Sequence, residues 1–176
     1  MKTAIIGFSG SGKSTLAEEI GRLEGAEVLH LDAVHFLPGW AVREKEEKER
    51  IVKDFLDSHD SWVVDGNYTK LSYERRMEEA DRIVMLLFNR FACLSRVVKR
   101  YRRYKNETRP DMAEGCPEKL DREFVLWVLF GGRKCAAKKR YKMLRERFPE
   151  KTVILKNQKA LDAYRDQIAS EYEKRP

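Results

Sequence analysis

Eight residues near the start of the chain constrain its fold more than anything else in it. Gly7-Phe8-Ser9-Gly10-Ser11-Gly12-Lys13-Ser14 fits the pattern G-x-x-x-x-G-K-[ST] without departure. Residues 3–8 read as a short buried strand, and Leu16, Ile20 and Leu23 fall on one helical stripe that ends at Gly25. Glycines let the backbone curl until successive N–H groups face phosphate oxygens. A helix N-terminus adds the positive end of its dipole. Strand, loop and helix in this order predict a phosphate-binding loop. Lys13 is expected to reach the β and γ phosphates of ATP, and the Ser14 hydroxyl to ligate Mg²⁺. The expected nucleotide-binding residues are Gly7, Ser9, Gly10, Ser11, Gly12, Lys13, Ser14 and Thr15. A glycine-rich turn with a chance lysine is the competing explanation, and the flanking strand and helix argue against it.

The same pattern continues downstream. Apolar runs at 28–32, 62–65, 83–88 and 152–155 read as four more strands. Helices are expected at 44–57, 73–79, 90–104, 118–130, 134–148 and 158–172, with a turn at 36–40 and a loop at 105–117. Glu44/Lys48 and Glu46/Arg50 stand at i,i+4 spacing on the first of these helices. Strands alternating with helices predict an α/β P-loop fold: a five-stranded parallel sheet with helices on both faces. Ligands of such sheets bind at the carboxyl ends of the strands. At 176 residues the chain is the length of one domain and needs no disulfide to hold it.

That edge directs attention to the strand ends. Asp32 is expected to close the second strand, where it would orient an acceptor hydroxyl and take its proton, hold Mg²⁺ through water, or merely cap a turn. His30 shares a face with Asp32 on a strand, which raises a metal pair lacking a third strong ligand. Asp65 ends the third strand before Gly66, the arrangement that anchors the water shell of Mg²⁺. Arg75 and Arg76 lie beyond it, either reaching for an anion or sitting on a solvated helix face.

Charge is unevenly spread. The net charge is +7, yet residues 90–147 hold 18 Lys/Arg against 7 Asp/Glu, while the rest hold 18 against 22. This stretch should face something anionic. Arg96, Arg100 and Arg103 recur at i, i+4 and i+7 and so share one helix face, with Lys99 and Arg102 beside it. Three readings compete: arginines closing over ATP, a nucleic-acid surface, or a solvated basic helix. Lys138, Lys139, Arg140 and Lys142 read as the polar side of a later helix. The longest apolar run, 124–130, is far short of the roughly 20 residues that span a bilayer. The N-terminus lacks the pattern of a signal peptide. Cys93, Cys116 and Cys135 show no CxxC spacing and read as reduced thiols of a cytoplasmic protein.

Four segments together resemble one family. They are the loop GFSGSGKST, the stretch from His30 to Trp40 (HLDAVHFLPGW), the stretch from Trp62 to Tyr68 (WVVDGNY), and the stretch from Arg109 to Glu118 (RPDMAEGCPE). In these the chain resembles the bacterial DNA topology modulation proteins, the FlaR-related group, a branch of the adenylate-kinase-like P-loop NTPases. The resemblance implies a sheet of strand order 2-3-1-4-5 and a helical lid at about residues 100–120. It implies phosphoryl transfer from Mg²⁺-ATP to a small acceptor, a nucleoside or nucleotide. The alternative it implies is a nucleotide-switched protein acting on DNA or on a protein partner, with slow hydrolysis only and weak DNA contact. Lys13, Asp32 and Arg100 would be catalytic, Arg96 and Arg103 would hold ATP, and Ser14 with Asp65 would hold Mg²⁺. Asp65-Gly66 lacks the Pro-Arg that follows it in adenylate kinases, which weakens the case for AMP.

Overall fold

The computed structural model describes residues 1–173. In chain order the elements are β1 (Lys2–Gly7), α1 (Lys13–Glu24), β2 (Glu27–His30), α2 (Leu31–His35), β3 (Phe36–Leu37), β4 (Ala41–Val42), α3 (Lys45–Ser58) and β5 (Trp62–Asp65). There follow α4 (Tyr73–Glu79), β6 (Arg82–Leu86), α5 (Arg90–Arg103), α6 (Arg122–Leu129), α7 (Cys135–Arg147), β7 (Thr152–Leu155) and α8 (Gln158–Glu173). Five strands form one parallel sheet in the order β2-β5-β1-β6-β7. Counted along the chain, that is the expected 2-3-1-4-5. β3 and β4 make a separate antiparallel hairpin, with Phe36 opposite Val42 and Leu37 opposite Ala41.

The central strands bury both faces, as strands of a covered parallel sheet must. All four residues of β5 are buried, as are Ala4, Ile5 and Ile6 of β1. Register sets the functional edge: Ile5 and His30 both pair with Asp65, and Gly7 pairs with Leu86. Three strand ends thus meet where β1 hands over to the loop.

Several local expectations change. The second strand stops at His30, and Asp32 lies instead in the one-turn helix α2. The ladder has nothing further to pair with: Gly66, with φ +137, takes the chain out of line just after Asp65. Leu31 packs over Gly66, and the Phe36 N–H bonds to the Asp32 carbonyl. Leu23 is 38% exposed, off the expected stripe. The inward positions of α1 rotate through Leu16, Ala17, Ile20 and Gly21, and the buried carboxylate of Glu24 meets Arg82 on β6. The i,i+4 ion pairs along α3 are Glu47 with Arg43, just before the helix, at 2.5 Å, and Glu49–Lys53 at 3.9 Å, not those the spacing offered, because Lys48 turns inward. α6 begins only at Arg122, capped by Asp121, whose side chain accepts the Phe124 N–H. Glu118 is withdrawn from it into a buried ion pair. Among the described residues no helix is long and apolar enough to cross a membrane, and the three cysteines are free.

Candidate active site

The loop between β1 and α1 is held open by its glycines and by α5 lying against it. A Cβ on Gly10 would stand 2.7 Å from the Cys93 carbonyl oxygen, and one on Gly12 2.7 Å from Arg96 Nη1. Both residues have φ between +77 and +96, where side chains are strained. α1 starts with no side-chain cap and no acidic residue in its first turn. Its first N–H groups therefore remain available to an anion. Lys13 Nζ curls back to the Phe8 carbonyl at 3.3 Å. Ser9, Gly10, Gly12, Lys13, Ser14 and Thr15 line an open cleft of ≈ 860 Å³. Gly7 and Ser11 do not line it. The Gly7 N–H donates to Asn67 Oδ1, and its carbonyl accepts from Asn67 Nδ2.

Below the loop, Ser14 Oγ donates to Asp65 Oδ2 at 2.9 Å. The other Asp65 oxygen lies 2.6 Å from His30 Nδ1, and His30 Nε2 lies 2.6 Å from Glu18 Oε1. Both ring nitrogens face carboxylates, a geometry that only the imidazolium satisfies. Burial opposes the charge, but Asp65, helped by Glu18, outweighs it and raises the pKa to about 9. His30 thus pairs with Asp65 and not with Asp32. Among the described residues no group of three His, Cys, Asp or Glu side chains could cage a metal. A hydroxyl and one carboxylate side by side do fit Mg²⁺, which takes few protein oxygens and completes its shell with phosphate and water. The raised pKa has a consequence for stability. The proton on His30 contributes fully below its ordinary value of 6.5, and that contribution fades as pH rises through about 9. In a chelator, the melting-temperature gap between wild type and His30→Gln is expected to be wide at pH 6 and narrow by pH 10. A gap that grows with pH would refute this.

Asp32 is exposed on α2 and lines the same cavity as Lys13. Tyr68 donates its hydroxyl to Asp32 Oδ1 at 2.7 Å. Burial, and then Asp32, push the phenol well above its ordinary pKa, so it stays protonated as the donor. Tyr68 is held in turn by Arg76, which is fully buried and donates to the carbonyls of Leu71 (2.9 Å) and Tyr68 (2.8 Å), with Gly66 O at 3.5 Å. Arg76 therefore neither reaches an anion nor faces solvent. Arg75 pairs with Asp57 and Glu79. The spacing did carry a signal here: Tyr73, Arg76 and Met77 share one buried stripe.

The arginines of α5 come together as their spacing predicted, lining the cleft at Arg96, Arg100 and Arg103. They are differently engaged. Arg96 Nη1 donates to the Ser11 carbonyl at 2.8 Å and its guanidinium lies 4.6 Å from the Phe88 ring centroid. Arg100 pairs with the buried Glu118 at 2.7 Å. Arg109 Nε lies 2.6 Å from the other oxygen of Glu118, an ion pair without an aligned N–H, and its Nη1 pairs with Asp111. Arg103 is exposed and meets no carboxylate among the described residues. Loop 104–121 crosses to the β3–β4 hairpin, where the Gly39 N–H donates to the Gly115 carbonyl at 2.9 Å. Cys116 Sγ reaches the Leu37 carbonyl at 3.3 Å. Lys138, Lys139 and Lys142 are exposed on α7, away from the cleft. Sequence reasoning missed the roles of Tyr68, Asn67 and Glu118. All three stand inside the shared segments Trp62 to Tyr68 and Arg109 to Glu118, the best signal available for them.

No protein-family model matches the chain, and no curated protein sequence does. Solved structures match its whole length. Shikimate kinase from Acinetobacter baumannii, in complex with shikimate, is similar with a TM-score of 0.56 at 13% identity, covering 98% of this chain and 93% of that one. TT1252 from Thermus thermophilus has a TM-score of 0.51 at 20% identity, covering 100% and 98%. At such identities the likeness speaks for the fold alone: this chain has an α/β P-loop fold like that of these structures, with its cleft at the carboxyl edge of the parallel sheet.

Proposed function

We propose that the protein transfers the terminal phosphoryl group of Mg²⁺-ATP to the hydroxyl of a small acceptor. The observation that carries this reading is one cleft lined both by the phosphate loop with Lys13 and by Asp32, whose carboxylate Tyr68 holds. Lys13 would leave the Phe8 carbonyl for the β and γ phosphates. Amides at the start of α1 would hold the same phosphates. Ser14 and Asp65 would hold Mg²⁺, which when bound screens the charge of the phosphates. Asp32 would accept the proton of the acceptor hydroxyl as its oxygen bonds to phosphorus and the bond to the β-phosphate oxygen breaks. Arg103, and Arg100 once released from Glu118, would neutralise charge on the migrating group, with loop 104–121 as the lid. The motif resemblance and the shared fold of a neighbour named shikimate kinase support a kinase, and the resemblance favours a nucleoside or nucleotide as acceptor.

The direct test is calorimetry with Mg²⁺-ATP, followed by ADP release against a panel of hydroxyl compounds. No binding at millimolar ATP would remove the reading. Nanomolar, ATP-dependent binding of duplex DNA at physiological salt would carry the switch alternative instead; purely electrostatic DNA contact stays near 10⁻⁴ to 10⁻⁶ M. Asp32→Asn is expected to keep ATP affinity and lower turnover by about 10²-fold. Were Asp32 only a cap, the change would cost about 1 kcal/mol of stability and leave turnover alone.

A further inference from the structure

A second cavity of ≈ 330 Å³ lies on the far side of Tyr68, lined by His35, Lys45, Lys48, Asn67, Tyr68 and Lys70. Lys48 is its central feature. The residue is only 8% exposed, and its ammonium meets an imidazole nitrogen, His35 Nδ1, at 3.5 Å. Among the described residues no carboxylate pairs with it. Of its acidic neighbours, Glu47 is spent on Arg43 and Glu49 on Lys53 and on the N–H and hydroxyl of Ser72, while Glu44 and Glu46 are exposed and form no ion pair with it. Burying an ammonium without a counter-charge is costly. Lys45 and Lys70 stand exposed at the rim and add two more positive charges. Asn67, Tyr68 and Lys70 belong to the segment after β5 that Arg76 pins from beneath, so this wall is preformed.

Tyr68 joins this cavity to the main cleft, because it lines the one and its hydroxyl holds Asp32 in the other. We infer that the Lys48 cavity binds an oxyanion, a phosphate or a carboxylate, borne by the acceptor itself, so that the substrate is an anionic alcohol and not a neutral one. The inference rests on the phosphoryl-transfer reading of the cleft. An acid group beside Lys48 would supply the missing counter-charge and leave the hydroxyl of the same molecule to reach round Tyr68 toward Asp32. Such a charge-assisted contact is the stronger class of hydrogen bond. It also gives selectivity, since a neutral analogue would leave the ammonium buried and unpaired.

His35 reports on the cavity without touching the chemistry. Burial and Lys48 lower its pKa, while Asp32 pulls the other way. Inorganic phosphate is the probe, titrated with the phosphate loop filled by a non-hydrolysable Mg²⁺-ATP analogue. The His35 imidazole resonance is followed by NMR, and binding of the analogue by calorimetry. Phosphate is expected to shift the resonance and raise the His35 titration midpoint. Lys48→Gln should weaken that response at least about tenfold, the loss of one charge-assisted hydrogen bond, and the surface variant Lys45→Ala/Lys70→Ala should weaken it less. An unmoved resonance at about 10 mM phosphate, which would nearly fill a millimolar site, overturns the inference. So does an unaltered response in Lys48→Gln or, should that variant not fold, in Lys48→Met, which keeps the buried stem and removes only the ammonium. ADP release then separates a free oxyanion from one carried by the acceptor. Alcohols bearing phosphate or carboxylate should turn over, with KM raised in Lys48→Gln, and turnover confined to neutral alcohols would overturn the assignment. If the ATP analogue fails to bind while His35 still responds, the phosphoryl-transfer reading falls and the anion site stands alone.

Discussion

Lys13→Ala is expected to lower phosphoryl transfer by about 10²–10³-fold, the cost of removing one preorganised charge donor from a transferring group. The same change should barely touch the fold. Lys13 Nζ makes a single 3.3 Å contact to the Phe8 carbonyl and is otherwise in the open cleft. One such hydrogen bond is worth about 0.5–1.5 kcal/mol, or at most a few degrees of melting temperature at this chain length. The split between the two readouts is the diagnostic. A large fall in turnover with little change in melting assigns the loop to the nucleotide. Undiminished ATP affinity and turnover in a folded Lys13→Ala protein would move the nucleotide elsewhere. A collapse of the fold would mean that the lysine is structural, against everything its surroundings show.

What could be read from the sequence divides along a physical line. The phosphate loop, β5, α4 and β7 depend on local order: turn glycines, an uninterrupted apolar run, a repeat of 3.6. Their positions were legible to the residue, or nearly so. The sheet order came from resemblance, since nothing in the spacing of five strands fixes which pairs with which. Asp32 illustrates the limit. Its apolar neighbours continue the strand on paper, but the ladder ends two pairs earlier because Gly66 diverts β5, a fact about another strand. Glu118 continues the helical pattern of α6, yet its carboxylate is drawn to Arg100 and Arg109. Lys48 had a plausible partner at i−4 and turned to His35 instead. Each of these outcomes is a long-range choice between local satisfaction and a buried contact that no window on the sequence contains.

Arg76 is the extreme case, and Arg76→Met is expected to destabilise the protein by about 3–5 kcal/mol, the cost of leaving two to three buried carbonyls without their donor. The guanidinium is fully buried, and burial lowers its pKa only to about 10, so it carries its charge at neutral pH. Its N–H groups serve the carbonyls of Leu71, Tyr68 and Gly66. Methionine replaces much of the volume but none of the donors, and each buried carbonyl left unpaired costs about 1–3 kcal/mol. At about 2–4 °C per kcal/mol for a chain of this size, the melting temperature should fall by some 6–20 °C. Arg76→Lys should recover little, because a single ammonium cannot serve three carbonyls that a planar fork reaches at once. The damage should also be directional. The loosened segment carries Asn67, which holds both backbone groups of Gly7, and Tyr68, which aims Asp32. Below its melting temperature the variant is therefore expected to lose turnover more than ATP affinity. Thermal denaturation with parallel calorimetry reads both effects. A melting temperature within about 2 °C of wild type, less than 1 kcal/mol by the same scale, would mean that water or a neighbouring donor takes over those carbonyls. The segment after β5 would then owe its shape to packing alone.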